Sequence, residues 1–129
     1  MSDQIIAKRN ANALIQDVEP SLPRLPHRAM LLTKMAEFKQ AYGGLWVGGK
    51  AVLTQSALEF SPNALNRGVQ KGQLDIRIPP TEITAVQTES AALTNVIVIE
   101  GPGLMFKVRC FLAEKFAEQI RAASPSVPR

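Results

Sequence analysis

Alternation is the clearest signal in the chain. In "LDIRI", Leu74, Ile76 and Ile78 fall on one side of a strand and Asp75 and Arg77 on the other. Upstream, "GGKAVLTQSALEFSPNALN" holds two strand-length runs, "KAVLT" and "ALEFS", joined by Gln55-Ser56 as a tight antiparallel connection. Downstream, Pro79-Pro80 stops one strand, and "EITAVQTE" offers another through Ile83 and Ala85 or Val86. "NVIVIEG" is continuously apolar and β-branched, which predicts a strand covered on both faces. "GPG" then reverses the chain into "LMFKV", where Leu104, Phe106 and Val108 share a face. In "CFLAEKFAEQIRAA" the period changes. Leu112, Ala113, Phe116, Ala117 and Ile120 form the apolar stripe of a helix, and Ser124-Pro125 ends it. That stripe needs cover, and an open end of the sheet is its natural partner.

Two stretches are less regular. "DQIIAKRNANALIQDV" is weakly helical, with Ile5, Ile6, Ala13 and Leu14 loosely clustered and Asn10 and Asn12 poor interior residues. Pro20, Pro23 and Pro26 follow at intervals of three, a spacing that favours extended polyproline backbone and a linker. "MLLTKMAEFKQAYGGLW" fits either element: Leu31, Met35, Phe38 and Tyr42 share a helical face, while a strand is also permitted. Propensity favours helix there. Gly43-Gly44 and Gly48-Gly49 bracket Leu45-Trp46-Val47 as turns or close backbone approaches. The pattern therefore predicts a mainly β domain of six or seven short antiparallel strands followed by one helix. Residues 1–29 are read as an arm, 30–123 as the domain and 124–129 as a tail.

Composition adds limits. A chain of 129 residues with 46% hydrophobic content can bury a core without disulfides or metal. The single Cys110 cannot form an internal bridge, and no apolar run reaches membrane-spanning length. The N-terminus lacks the order of a signal peptide, so the expected location is cytoplasmic, with peripheral contact at a membrane as the further option. The net charge of +4 is unevenly placed. Between Leu31 and Pro79, six bases (Lys34, Lys39, Lys50, Arg67, Lys71, Arg77) face three acids (Glu37, Glu59, Asp75), whereas bases and acids balance from Pro80 onward. An anionic partner would meet the first half of the domain.

The ordered set Gly48, Gly49, Lys50, Leu53, Thr54, Leu58, Phe60 and Pro62 resembles the signature segment of GRAM domains, a family of the pleckstrin-homology (PH)-like superfold. Ile78, Pro79, Ile83 and Val86 are similar to that family's next segment, and "NVIVIEGPGLMFKV" to its late hairpin. The resemblance covers roughly Met35 to Ile120. It implies a PH-like, partly open barrel of about seven strands in two near-orthogonal sheets, capped by the C-terminal helix. It also implies a strand near Met35–Tyr42, against propensity. Ser56-Ala57 stand where the family often has a basic residue.

Catalytic chemistry finds little to work with. The one histidine, His27, lies in the proline arm, and Cys110 has no histidine near it in sequence. One Cys and one His cannot make a tetrahedral zinc site, and the acids are scattered singly. "GGLWVGG" lacks the Gly-Lys-Ser/Thr of a phosphate loop, and no aromatic platform flanked by arginines points to nucleic acid. The expectation is a non-catalytic module without a cofactor, and nothing indicates a homo-oligomer. Two roles follow from different classes. The first is an adaptor for a protein partner, docked by strand addition to a sheet edge or beside the helix. The second is peripheral binding to anionic, phosphoinositide-type lipid headgroups. Its candidate residues are Lys50, Arg67, Lys71 and Arg77, with Trp46 as an interfacial wedge. The plainer reading of these residues is solvated loop charge and a tryptophan in the core.

Overall fold

A computed structural model describes residues 4–16, 34–40, 46–63, 75–90 and 94–128. Its longest strand, β1 (Ile5–Gln16), lies where the sequence looked weakly helical. Alternation is present there, but in weak hydrophobes. Ala7, Ala11, Ala13 and Ile15 are buried, while Lys8 and Asn10 are exposed. Alanine is the best helix former, so propensity points the wrong way and tertiary pairing decides. The segment is therefore no arm: it is the middle strand of the sheet.

The other strands are β2 (Val47–Thr54), β3 (Leu58–Pro62), β4 (Ile76–Ile78), β5 (Ala85–Glu89), β6 (Val96–Gly101) and β7 (Leu104–Arg109). All pairings are antiparallel, and the seven strands form one open sheet in the order β4-β3-β2-β1-β7-β6-β5. β1 holds the two halves together. Ile5 to Ala13 pair with β2, and Asn12 to Gln16 pair with β7. The expected β2–β3 hairpin is present. Thr54 Oγ1 accepts from the Ala57 amide at 3.1 Å and the Ser56 amide at 3.3 Å, which satisfies a buried hydroxyl inside the turn.

The sheet curls. Phe60 on β3 and Phe106 on β7 lie three strand spacings apart, ~14 Å on a flat sheet. Their ring centroids are 6.1 Å apart at 66°, edge to face. Small residues on the inner face make the bend possible: Ala51 and Gly49 on β2, Ala11 and Ala13 on β1. A Cβ at Gly49 would run into the Ser61 carbonyl and come 2.7 Å from the tip of the Phe60 ring.

Among the described residues, two α-helices complete the core. Residues 34–40 form α1, a helix and not the strand that the family resemblance implied, and its Met35 and Phe38 are buried. Phe38 stacks edge to face on Phe60 at 6.1 Å, extending the aromatic row. α2 (Ala113–Ala123) buries Ala113, Phe116, Ala117 and Ile120 against the inner face of the sheet. Leu112 is not part of that stripe. It precedes the helix and is 68% exposed. Beyond α2, the residues expected to be a tail return to the protein: Ser124 Oγ donates to the Ile120 carbonyl at 2.7 Å, and Val127 joins the core.

Val96 to Ile99 are buried in succession, as expected of a strand covered on both sides. Ile97 and Ile99 face the core. Val96 and Val98 face outward, and the Lys107–Glu89 pair (3.7 Å) reaches across β6 from β7 to β5 above them. The aliphatic stems of those long side chains shield the valines from water.

Phe60 is the middle of the aromatic row, so Phe60→Ala is expected to cost about 3–5 kcal/mol in chemical denaturation. Gly49→Ala, which removes no contact, is expected to cost about 1–3 kcal/mol through overpacking. A neutral Gly49→Ala would mean that close approach at β2 does not set the curl.

Candidate functional site

The candidate residues from the sequence separate in the structure. Arg67 and Lys71 lie outside the described residues. Lys50 and Arg77 both project from the outer face, on β2 and β4. Arg77 is engaged: its guanidinium meets Glu59 Oε2 at 2.6 Å and donates to Ser56 Oγ at 3.3 Å. Trp46 is neither fully buried in the core nor free as a wedge. It is half-buried at the start of β2, with the Arg109 guanidinium 4.5 Å from its ring centre.

Arg109 comes from the last residue of β7, opposite Asn12 of β1, and reaches over β1 to Trp46 on β2. Beneath it opens a cleft of about 290 Å³. Asn10, Asn12 and Asn63 supply amides to its wall, Arg109 a cation and Phe111 an aromatic rim. Gly48 makes this arrangement possible. A Cβ there would lie 3.2 Å from Asn12 Oδ1 and 3.4 Å from Asn63 Nδ2, so the missing side chain is the space between the two amides. The register brings Lys50 opposite Asn10, with Lys8 two residues along the same outer face of β1. Lys50 and Arg109 thus flank β1 at a Cα separation of ~12 Å.

The charge pattern on this face is selective. Of the five outward cations among the described residues, Arg77 and Lys107 each have a carboxylate partner, whereas no carboxylate among those residues pairs with Lys8, Lys50 or Arg109. Three cations around amide donors suit a phosphate or carboxylate oxygen, which both groups bind by charge-assisted hydrogen bonds.

The chain leaves β7 through Cys110, Phe111 and Leu112. Cys110 turns inward and is buried. Burial pushes its thiol above the ordinary value of 9.0, and the Arg9 charge, which pulls downward, offsets only part of that. Arg9 itself lies over the Phe116 ring at 5.3 Å and donates to the Lys8 carbonyl at 3.0 Å. Phe111 is 80% exposed. Leu112 sits in the left-handed region, φ 56°, and caps α2 without a side-chain hydrogen bond. For a leucine that backbone costs about 1–2 kcal/mol. A serine or aspartate cap would add about 1 kcal/mol that is forgone here.

The sheet edge at β5 is closed on its helix side. Arg121 Nε of α2 donates to the Val86 carbonyl at 3.1 Å, and its Nη1 meets Glu118 at 2.6 Å. Among the described residues no cluster of His, Cys, Asp or Glu groups is arranged to hold a metal ion, and no helix is long and apolar enough to cross a membrane.

No family model matches the chain, and no curated protein is similar enough to count as a relative. The site therefore rests on its own geometry. Sequence reasoning missed Lys8, Asn10, Asn12, Arg109 and Phe111. Four of these were legible only through the strand period of β1 and β7. Phe111 was visible as the one large apolar residue of that segment outside the α2 stripe.

Because the folded thiol titrates above the unfolded one, Cys110 contributes stability below about pH 9 that is lost as pH rises toward its folded value. Urea midpoints from pH 8 to 10 should fall in the native protein and fall less in Cys110→Ala. An identical slope in both would place the alkaline loss elsewhere.

Proposed function

We propose that this chain is a non-catalytic, PH-like recognition module that docks on the phosphate-bearing surface of an anionic membrane through the outer face of β2, β1 and β7. The observation that carries the reading is the trio Lys8, Lys50 and Arg109, without a carboxylate among the described residues on a face where Arg77 and Lys107 are paired. Near an anionic leaflet each such cation contributes about 1 kcal/mol, so the trio supplies ~3 kcal/mol of weak, reversible, salt-sensitive attraction. The amide-lined cleft beside Arg109 gives a headgroup phosphate directional donors as well.

The strand order and the C-terminal helix support the PH-like assignment. The Gly48–Pro62 segment, which carries the GRAM resemblance in sequence, forms one hairpin of the sheet, with Gly49 opposite Pro62. α1 is a departure from the expected pattern. A protein-binding adaptor is the competing role, and its simplest route is strand addition at β5. That route loses support because Arg121 already occupies the Val86 carbonyl.

Sedimentation with phosphatidylcholine vesicles, with and without anionic phospholipid, tests the reading. Pelleting is expected only with the anionic vesicles, and should decline from 50 to 300 mM salt. The double change Lys8→Gln and Lys50→Gln should weaken it about thirtyfold, while Arg77→Gln leaves it nearly unchanged. No pelleting at low salt would remove the membrane and leave the adaptor role.

A further inference from the structure

We infer that Phe111 and Leu112 form a hydrophobic wedge that enters the headgroup–acyl boundary of an anionic phospholipid bilayer when the cationic face docks. The inference rests on the membrane reading above and adds what that reading lacks. Charge alone gives weak attachment, and firm binding to a bilayer needs a second signal.

The pair is placed for this. Phe111 borders the cleft that Arg109 and the amides of Asn10 and Asn12 line, so the aromatic ring and the Arg109 cation address one surface. Phe111 and Leu112 are 80% and 68% exposed, adjacent in sequence and at a turn. Around them the charges favour an anionic leaflet. Arg109 precedes the pair, and the exposed Lys115 follows it on the first turn of α2. The one nearby acid in sequence, Glu114, accepts a hydrogen bond from Asn95 Nδ2 at 3.3 Å. Trp46, one candidate wedge from the sequence, is held under Arg109 instead.

The backbone is a second, independent observation. A junction built for stability would carry Gly or Asn at a left-handed position and Ser, Thr or Asp at the helix cap. Leu112 breaks both rules at one residue, and its side chain gains no burial in return. Residues that violate local rules without local compensation concentrate at functional sites. Here the compensation is burial in lipid. A protein partner with an apolar pocket is the rival occupant, and the unpaired cations on the same surface favour the anionic bilayer.

Trp46 is the only tryptophan, so Trp46→Phe clears the background and keeps a ring under Arg109. Phe111→Trp in that protein then reports its own surroundings. With vesicles containing anionic phospholipid, its emission should shift to the blue and be quenched by lipids brominated near the top of the acyl chain. In the otherwise native protein, Leu112→Gly should raise the melting temperature, by relieving the left-handed leucine. It should also weaken vesicle binding about tenfold, the factor for losing the burial of one such side chain. Pelleting without quenching, or Leu112→Gly binding as tightly as the native chain, would overturn the wedge while leaving the membrane reading intact. Absence of pelleting at low salt would overturn both.

Discussion

The structure depends on one long strand joining the two halves of a single sheet. β1 pairs with β2 along its first part and with β7 along its last, so a single backbone carries the hydrogen bonds of both halves. A sheet joined this way closes over a core only if its inner face can bend sharply near the join. Ala11, Ala13, Ala51 and Gly49 occupy that inner face, and their small size lets Phe60 and Phe106 meet across two intervening strands. Larger β-branched residues there would give better strands individually and a flatter sheet. The bend is worth more, because it turns three phenylalanines and both helices into one continuous core.

The outer face inherits its chemistry from the same join. Where β7 leaves the sheet beside Asn12, side chains from three elements come together that neither half would assemble alone: Arg109 from β7, Asn10 and Asn12 from β1, Gly48 and Lys50 from β2. Away from the join, cross-strand partners neutralise the cations. Glu59 faces Arg77 on one wing, and Glu89 reaches Lys107 on the other. The bare cations lie at the centre, next to the departing chain with its two exposed apolar residues.

Much of the frame was legible because its signals are local. The hairpin of β2 and β3, the doubly covered β6, the β7 face and the buried positions of α2 all follow from period and turn chemistry within a few residues. The propensity of residues 34–40 was also a better guide than the family resemblance, since a helix forms there. The failures share a cause. β1 alternates alanines with polar residues, so its buried face looks too weak to be one until β2 and β7 pair along its edges and set it in the middle of the sheet. Leu112 fits the helical period perfectly yet faces water, because the chain must turn between buried Cys110 and buried Ala113. Periodicity marks which side chains are apolar, and the turn fixes which way they point.

The sequence alone determined that this is a mainly β chain ending in an amphipathic helix, with its main excess of positive charge between Leu31 and Pro79 and few catalytic groups. Those properties are sums or short-range patterns, readable without knowing which segments touch. The tertiary structure alone decided that the first strand is central, that Arg77 is neutralised, that Trp46 lies beneath Arg109, and that Arg109 lines an amide-bearing cleft with Lys8 and Lys50 on the same outer face. Each of these depends on residues tens of positions apart being set side by side, and strand register, which no local pattern encodes, does the setting.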